Sequence, residues 1–388
     1  MQLGSVLRGD TSPMRFALFL PLLLVSAAAF AGAGCGEREA TPLPFQQKKK
    51  GANASTEAAK LAELDLADMK NNFGTLPAKY EAKSGETDTN PITTDKVALG
   101  RMLYYDTRLS KNQDLSCNSC HLLDKFGVDG TKVSKGHKGQ LGGRNAPTVY
   151  NAGGYVAQFW DGRAGTLEDQ AKGPILNPVE MAMKDEASVV AVLESIPGYE
   201  DAFKKAFPDD KEPISYNNLA KAIGAFERQL VTPSRFDKYM AGDKTALTDQ
   251  ERAGLTKFVQ NGCTSCHSGS ALGGSTFQKL GLIKAYPNQK DLGRYDVTKK
   301  DEDKMVFRVP TLRNVAQTGP WFHDGAFDRL ETTVQAMAYH QLGKELPEAD
   351  VADIVAFLKS LTGEIPQEYI KKPELPANGE KTPGPDPT

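Results

Sequence analysis

Apolar positions recur every three or four residues in four stretches of this 388-residue chain, and each stretch predicts a helix. In "NNLAKAIGAFERQL" the period runs through Leu219, Ile223, Phe226 and Leu230, and it halts before "TPS" at 232–234, a natural domain boundary. "LTDQERAGLTKFVQNGC" has Leu255 and Phe258 on its apolar side and opens with Thr248 and Glu251 at capping-box spacing. "DRLETTVQAMAYHQLG" puts Leu330, Val334 and Met337 on one face. "EADVADIVAFLKSL" repeats the period through Val351, Ile354, Val355, Leu358 and Leu361, with Gly363 as the expected C-terminal stop. Strand-like alternation is sparse. The pattern predicts a mainly α fold with long loops.

The two ends depart from this pattern. Arg15, the apolar run "FALFLPLLLVSAAAF" and the small residues of "AGAGC" read as a secretory signal over residues 1–34, with Met14 a candidate start. The run is too short for a membrane span. Cys35 reads as the lipidated first residue of a lipoprotein, although Gly32 stands where Leu or Val is usual. The alternative is cleavage after "AFA" or "AGA". Residues 35–70 are read as a flexible tether and 366–388 as a Pro-rich disordered tail. Between them the chain divides into domains at 71–231 and 232–365. Lys and Arg total 47 against 49 Asp and Glu, so no polyanion such as nucleic acid is implied as partner.

Five cysteines sharpen the picture. Apart from Cys35 they form "CNSCH" at 117–121 and "CTSCH" at 263–267. C-x-x-C-H is the attachment signature of c-type haem: two thiols join the porphyrin and the histidine faces the iron. Cys117, Cys120, Cys263 and Cys266 would carry the thioethers, and His121 and His267 the proximal bonds. A zinc site or a redox pair would not call for the following histidine in both places. Each domain thus holds one haem. Function then turns on the sixth ligands, because a haem with a removable ligand does chemistry and a saturated one moves electrons. The candidates are His137, His323 and His340, with Met337 and Met305 among nine methionines. His137 lies in "SKGHKGQLGGRN", a Gly-rich loop suited to movement rather than to support. For the second haem, spacing leaves Met337, Met305 and His340 open.

From "TTDKVALGRMLYYD" to "ADIVAFLKSLTG" the chain resembles the bacterial dihaem cytochrome c peroxidases. The blocks that carry the resemblance are "LSCNSCH", "GVDG", "GHKG", "NAPTVYNA", "QFWDGRAGTLEDQAKGPILNPVEM", "AFERQLVTP", "VPTLRN", "FHDGAF" and "QLGK", in one order. The resemblance implies two cytochrome c-like domains joined at a calcium-bearing interface. It implies that His137 is the removable ligand of the N-terminal haem and Met337 the ligand of the C-terminal one. Glu180 becomes the distal acid–base with Gln170 beside it, and Trp160 lies between the haems. Asn145, Thr318 and Pro320 become calcium ligands, the last two through carbonyls. His323 is expected near the second haem without ligating it, and His340 is expected to face solvent or cap a helix. The implied activity is periplasmic reduction of hydrogen peroxide. Electrons from a small c-type cytochrome or cupredoxin enter at the C-terminal haem and pass to the N-terminal one, and the enzyme is a homodimer. Rival readings are a dihaem oxidase that matures a tryptophan quinone, a two-haem electron carrier, and a sensor. The first of these uses tyrosine where Met337 stands, and Tyr339 is near. Trp321 departs from the Tyr or Phe usual before "FHDG".

Overall fold

The computed structural model describes residues 66–81 and 90–388; the expected signal peptide, Cys35 and most of the expected tether lie outside the described residues. The chain opens with α1 (Leu66–Phe73), which is not tether. Met69 and Phe73, four residues apart, share one helical face and are buried in the core of the C-terminal half, where the Phe73 ring meets Phe236 edge-on at 5.4 Å. The expected boundaries at 70 and 71 therefore cut through a helix that belongs with the C-terminal domain.

In the N-terminal half, α2 (Thr94–Tyr105) begins where the Thr93 hydroxyl accepts from the Lys96 amide. The first haem motif forms α3 (Cys117–Cys120). Next come α4 (Leu167–Leu176), capped by Thr166, then α5 (Glu186–Glu194), α6 (Pro197–Ala206) and α7 (Tyr216–Glu227). The C-terminal half has α8 (Arg235–Met240) and α9 (Asp249–Gln260), the latter with the expected Thr248–Glu251 capping box. Strand β1 (Phe277–Lys279), α10 (Tyr295–Thr298), β2 (Val306–Arg308), α11 (Leu330–Met337) and α12 (Glu348–Ser360) follow. The strands pair antiparallel with Phe277 opposite Arg308, which fixes where Phe307 and Arg308 point.

Each half is built on one close helix crossing. A Cβ on Gly100 of α2 would sit 1.9 Å from the Ala222 carbonyl of α7, and one on Gly254 of α9 would sit 1.8 Å from the Asp353 carbonyl of α12. Only glycine lets those backbones meet. Around the first crossing pack Leu103, Tyr104, Ile223 and Phe226, and around the second Leu255, Phe258, Ile354 and Phe357. The two cores separate at 231–234, where Thr232 is buried. Its hydroxyl accepts from the side-chain amides of Asn151 and Asn314, each at 2.9 Å. Gly363 does not stop α12, whose C-cap is Leu361. Its lack of a Cβ instead admits the Thr232 carbonyl, which would stand 2.2 Å from one.

The C-terminal tail is ordered, contrary to its composition. In α13 (Gln367–Ile370) the Tyr369 ring stacks on Phe226 at 5.1 Å and its hydroxyl donates to the Phe226 carbonyl at 2.7 Å. Ile370 is buried in the first core, and its carbonyl accepts from the Tyr105 hydroxyl. Beyond it, Arg108 donates to the Pro376 carbonyl at 2.8 Å, and the Asp386 amide donates to the Lys111 carbonyl at 2.9 Å. Two apolar anchors and borrowed side-chain donors do for this strap what its own composition does not. Replacing Ile370 with Ala is expected to destabilise the protein by ~2–5 kcal/mol, the range for buried Ile-to-Ala changes. A urea melt of the holoprotein checks this, and an unchanged midpoint rejects the strap as a structural element. Among the described residues, no helix is long and apolar enough to cross a membrane.

Candidate active site

Two cavities lie one in each half. The first, about 470 Å³, carries Cys117, Cys120 and His121 on its wall, with Gln170, Pro174, Asn177, Val179 and Glu180 also facing it. Neither cysteine is in a disulfide. His121 Nδ1 lies 3.0 Å from the Pro147 carbonyl, a position that takes its N–H and leaves Nε2 with a lone pair for a metal. Burial lowers the His121 pKa and keeps the ring neutral. The Tyr104 hydroxyl holds the His121 carbonyl at 2.8 Å.

Glu180 is half-buried, and that burial raises its pKa above the ordinary carboxylate value. Arg163 and a 2.8 Å bond from the Asn177 amide offset the effect only in part. Gln170 reaches the same cavity from α4. His137 is buried but is not among the residues lining the cavity; its neighbours Ser134 and Gly136 are. The His137 amide donates to the Glu180 carbonyl at 2.8 Å, and its Nδ1 has no hydrogen-bond partner. The loop and the "NPVEM" turn are thus tied through their backbones.

The second cavity, about 220 Å³, carries Cys263, Cys266 and His267 together with Met337. His267 Nδ1 faces the Leu272 carbonyl at 3.3 Å, and burial depresses its pKa to about 4. Of the three ligands left open by spacing, only Met337 lines this cavity; Met305, His340 and also Tyr339 do not. His340 is not solvent-facing: it is 1% exposed, holds the Lys284 carbonyl at 2.8 Å and packs edge-on against Tyr286. His323 lines the cavity, stacked on Phe307 at 4.3 Å.

Trp160 lines both cavities, as do Asn145, Tyr155 and Arg308. Its indole N–H donates to the Asn145 carbonyl at 2.9 Å, and the Asn145 amide donates to the His323 carbonyl at 2.8 Å. Asn145, Thr318 and Pro320 all line the second cavity. The Asn145 amide nitrogen is given to the Thr131 carbonyl at 2.9 Å, which points its Oδ1 elsewhere. Among the described residues no cluster of three His, Cys, Asp or Glu side chains could hold a metal, so a cation here would rely on amide and carbonyl oxygens.

Two residues of this site escaped the sequence reading. Glu227 lines the first cavity from the end of α7, and burial, with Glu168 adding to it, raises its pKa to about 8 against the opposing Arg228. Its signal was present: it falls four residues after Ile223, on an otherwise apolar face. Arg308 was hidden in the apolar "MVFRVPTL".

The family model for di-haem cytochrome c peroxidase matches residues 94–245, and that for cytochrome c matches residues 252–362. The chain is 45% identical over 325 residues to the cytochrome c551 peroxidase of Nitrosomonas europaea, covering 83% of this chain and 96% of that one. The chain belongs to the di-haem cytochrome c peroxidase family. The cytochrome c551 peroxidase of Pseudomonas aeruginosa is 48% identical over 319 residues, covering 81% and 90%. A solved MauG-like protein associated with microbial copper homeostasis superposes with a TM-score of 0.68 at 31% identity, covering 77% of this chain and 97% of that one. Two haem c groups fit this member of the family. Each cavity presents two cysteines outside any disulfide and one buried histidine whose Nδ1 is already engaged, which leaves Nε2 for a metal.

Proposed function

We propose that the protein reduces hydrogen peroxide to water, with electrons from a small c-type cytochrome or cupredoxin entering at the C-terminal haem. The observation that carries this reading is the asymmetry of the two cavities. One faces Glu180 and Gln170, the other Met337. A haem supplies a redox-active iron that binds peroxide where a coordination position is open and passes electrons where a thioether fills it. Around the first, Glu180 takes the proton of one peroxide oxygen and returns it to the other, and Gln170 orients the substrate. Trp160, on both walls, is the residue through which the halves communicate.

His137 acts as the gate. Its ring turns into the first cavity, which it does not line here, to cap the site at rest, and it withdraws when the C-terminal half is reduced. Its backbone bond to Glu180 means that gate and base move together. Asn145 Oδ1 and the carbonyls of Thr318 and Pro320 hold a calcium ion that fixes the domain interface. The signal over residues 1–34 directs the enzyme to the periplasm, with Cys35 as a lipid anchor, and the working unit is a homodimer. The tryptophan-quinone reading is disfavoured because Tyr339 is off the second wall while Met337 is on it.

The test is an electron paramagnetic resonance titration of the calcium-loaded protein from fully ferric to half-reduced. A low-spin N-terminal signal that turns high-spin on half-reduction, and is then lost on adding peroxide, supports the reading. His137→Gly is expected to give a high-spin, peroxide-reactive site without prior reduction. If that variant still needs reduction before turnover, His137 is not the gate.

A further inference from the structure

Among the described residues, the buried arginines are paired, with one exception. Arg313 meets Asp237 through two bonds of 2.7 and 2.8 Å, and Arg228 meets Glu168 at 2.8 Å. Arg308, 2% exposed at the end of β2, has no carboxylate. Its Nε donates weakly to the Phe159 carbonyl at 3.3 Å, its guanidinium lies 4.1 Å over the Tyr155 ring, and its Nη1 has no partner at all. Burial accordingly lowers its pKa, with Tyr155 opposing. A buried cation left this way is unfavourable unless an anion arrives to meet it.

The described residues supply none. The carboxylates on the first cavity's wall are Asp161, Glu180 and Glu227, and the second cavity's wall has no carboxylate. Asp161 is held by Arg144 and Arg163, and Glu180 by Asn177. Glu227, with a pKa raised to about 8, is protonated for the most part at neutral pH. The missing anion must therefore come with what fills the cavities, and a haem carries two propionate carboxylates.

We propose that Arg308, standing on the wall common to both cavities, is the shared counter-ion of the propionates of the two haems and raises the reduction potential of both. A fixed positive charge near each iron favours the reduced state, and in a buried setting it is weakly screened. Arg308 is a positioning and tuning residue; it does not touch peroxide. The inference rests on the presence of two haem c groups and not on the gating reading, because its readout is potential rather than turnover.

The test is a spectroelectrochemical titration of the holoenzyme and of R308Q and R308K. In R308Q both couples are expected to fall, each by about a tenfold drop in the reduced-to-oxidised ratio at fixed potential, ~59 mV for one electron. R308K keeps the charge and should restore both. A resonance Raman spectrum of R308K should still show a shifted propionate bending band, because an ammonium cannot reproduce the planar fork of a guanidinium. R308Q with both haems attached and either couple unmoved overturns the shared role. If R308Q fails to load haem, an unchanged propionate band in R308K overturns the contact itself.

Discussion

Replacing Glu180 with glutamine is expected to cut peroxide turnover by about 10²–10⁴-fold, the range for loss of a general acid–base group. Both haems should remain attached, because the hydrogen bonds of Glu180 run to Asn177 and, through its carbonyl, to His137, not to either thioether motif. Glutamine preserves shape and still accepts from Asn177, but it cannot take a proton. The pH dependence follows from burial. Glu180 must begin deprotonated to accept the first proton, and its pKa lies above the ordinary carboxylate value because of desolvation. Wild-type kcat/KM therefore falls as pH drops through that raised pKa, and in Glu180→Gln this acidic limb disappears. Steady-state kinetics with reduced donor, alongside a haem-content assay, checks both features. A variant that keeps the limb, or that turns over within a factor of a few of wild type, removes Glu180 from the chemistry.

What was readable in the chain before its structure divides along a physical line. Helices α9 and α12 were legible because a solvent-facing helix packed on one side must show its period, and Thr248 and Glu251 announced where α9 begins. The haem motifs were legible because covalent attachment fixes residue type and spacing together. Ordering that depends on a distant partner was not. The tail from Gln367 to Thr388 is polar and Pro-rich, and its order comes from residues far upstream: Tyr105, Arg108 and Lys111 meet its backbone, and Phe226 stacks on Tyr369. Met69 and Phe73 likewise formed no long pattern, yet they complete the core around Phe236. His340 was expected to face solvent or cap a helix, whereas its neighbours in space are Tyr286 and the Lys284 carbonyl. Glu227 and Arg308 were missed for the opposite reason. Each sits in an apolar stretch, where a lone charge reads as noise until a cavity is seen to need it.

The largest effect on the molecule as a whole is expected from removing the second attachment motif, in the double variant Cys263→Ser with Cys266→Ser. The second cavity is walled by Phe258, Leu312, Val315, Leu330, Ile354 and Leu358, so a haem held there is also the centre of the C-terminal core. Emptying about 220 Å³ at roughly 24 cal/mol per Å³ costs ~5 kcal/mol. That is as much as the total stability of many domains, about 5–15 kcal/mol. The C-terminal half should therefore loosen and melt well below the wild type. The N-terminal half keeps its own haem, because its core around Leu103, Ile223 and Phe226 is separate. Haem per chain, read as the pyridine haemochromogen, should fall to half, and turnover with the protein donor should fall to background. The reciprocal variant, Cys117→Ser with Cys120→Ser, should still accept electrons from the donor yet consume no peroxide. This pair of outcomes separates electron entry from peroxide chemistry. Donor-driven turnover surviving in the first variant would place electron entry and peroxide chemistry together at the N-terminal haem, and the division of labour argued from Met337 and Glu180 would fall.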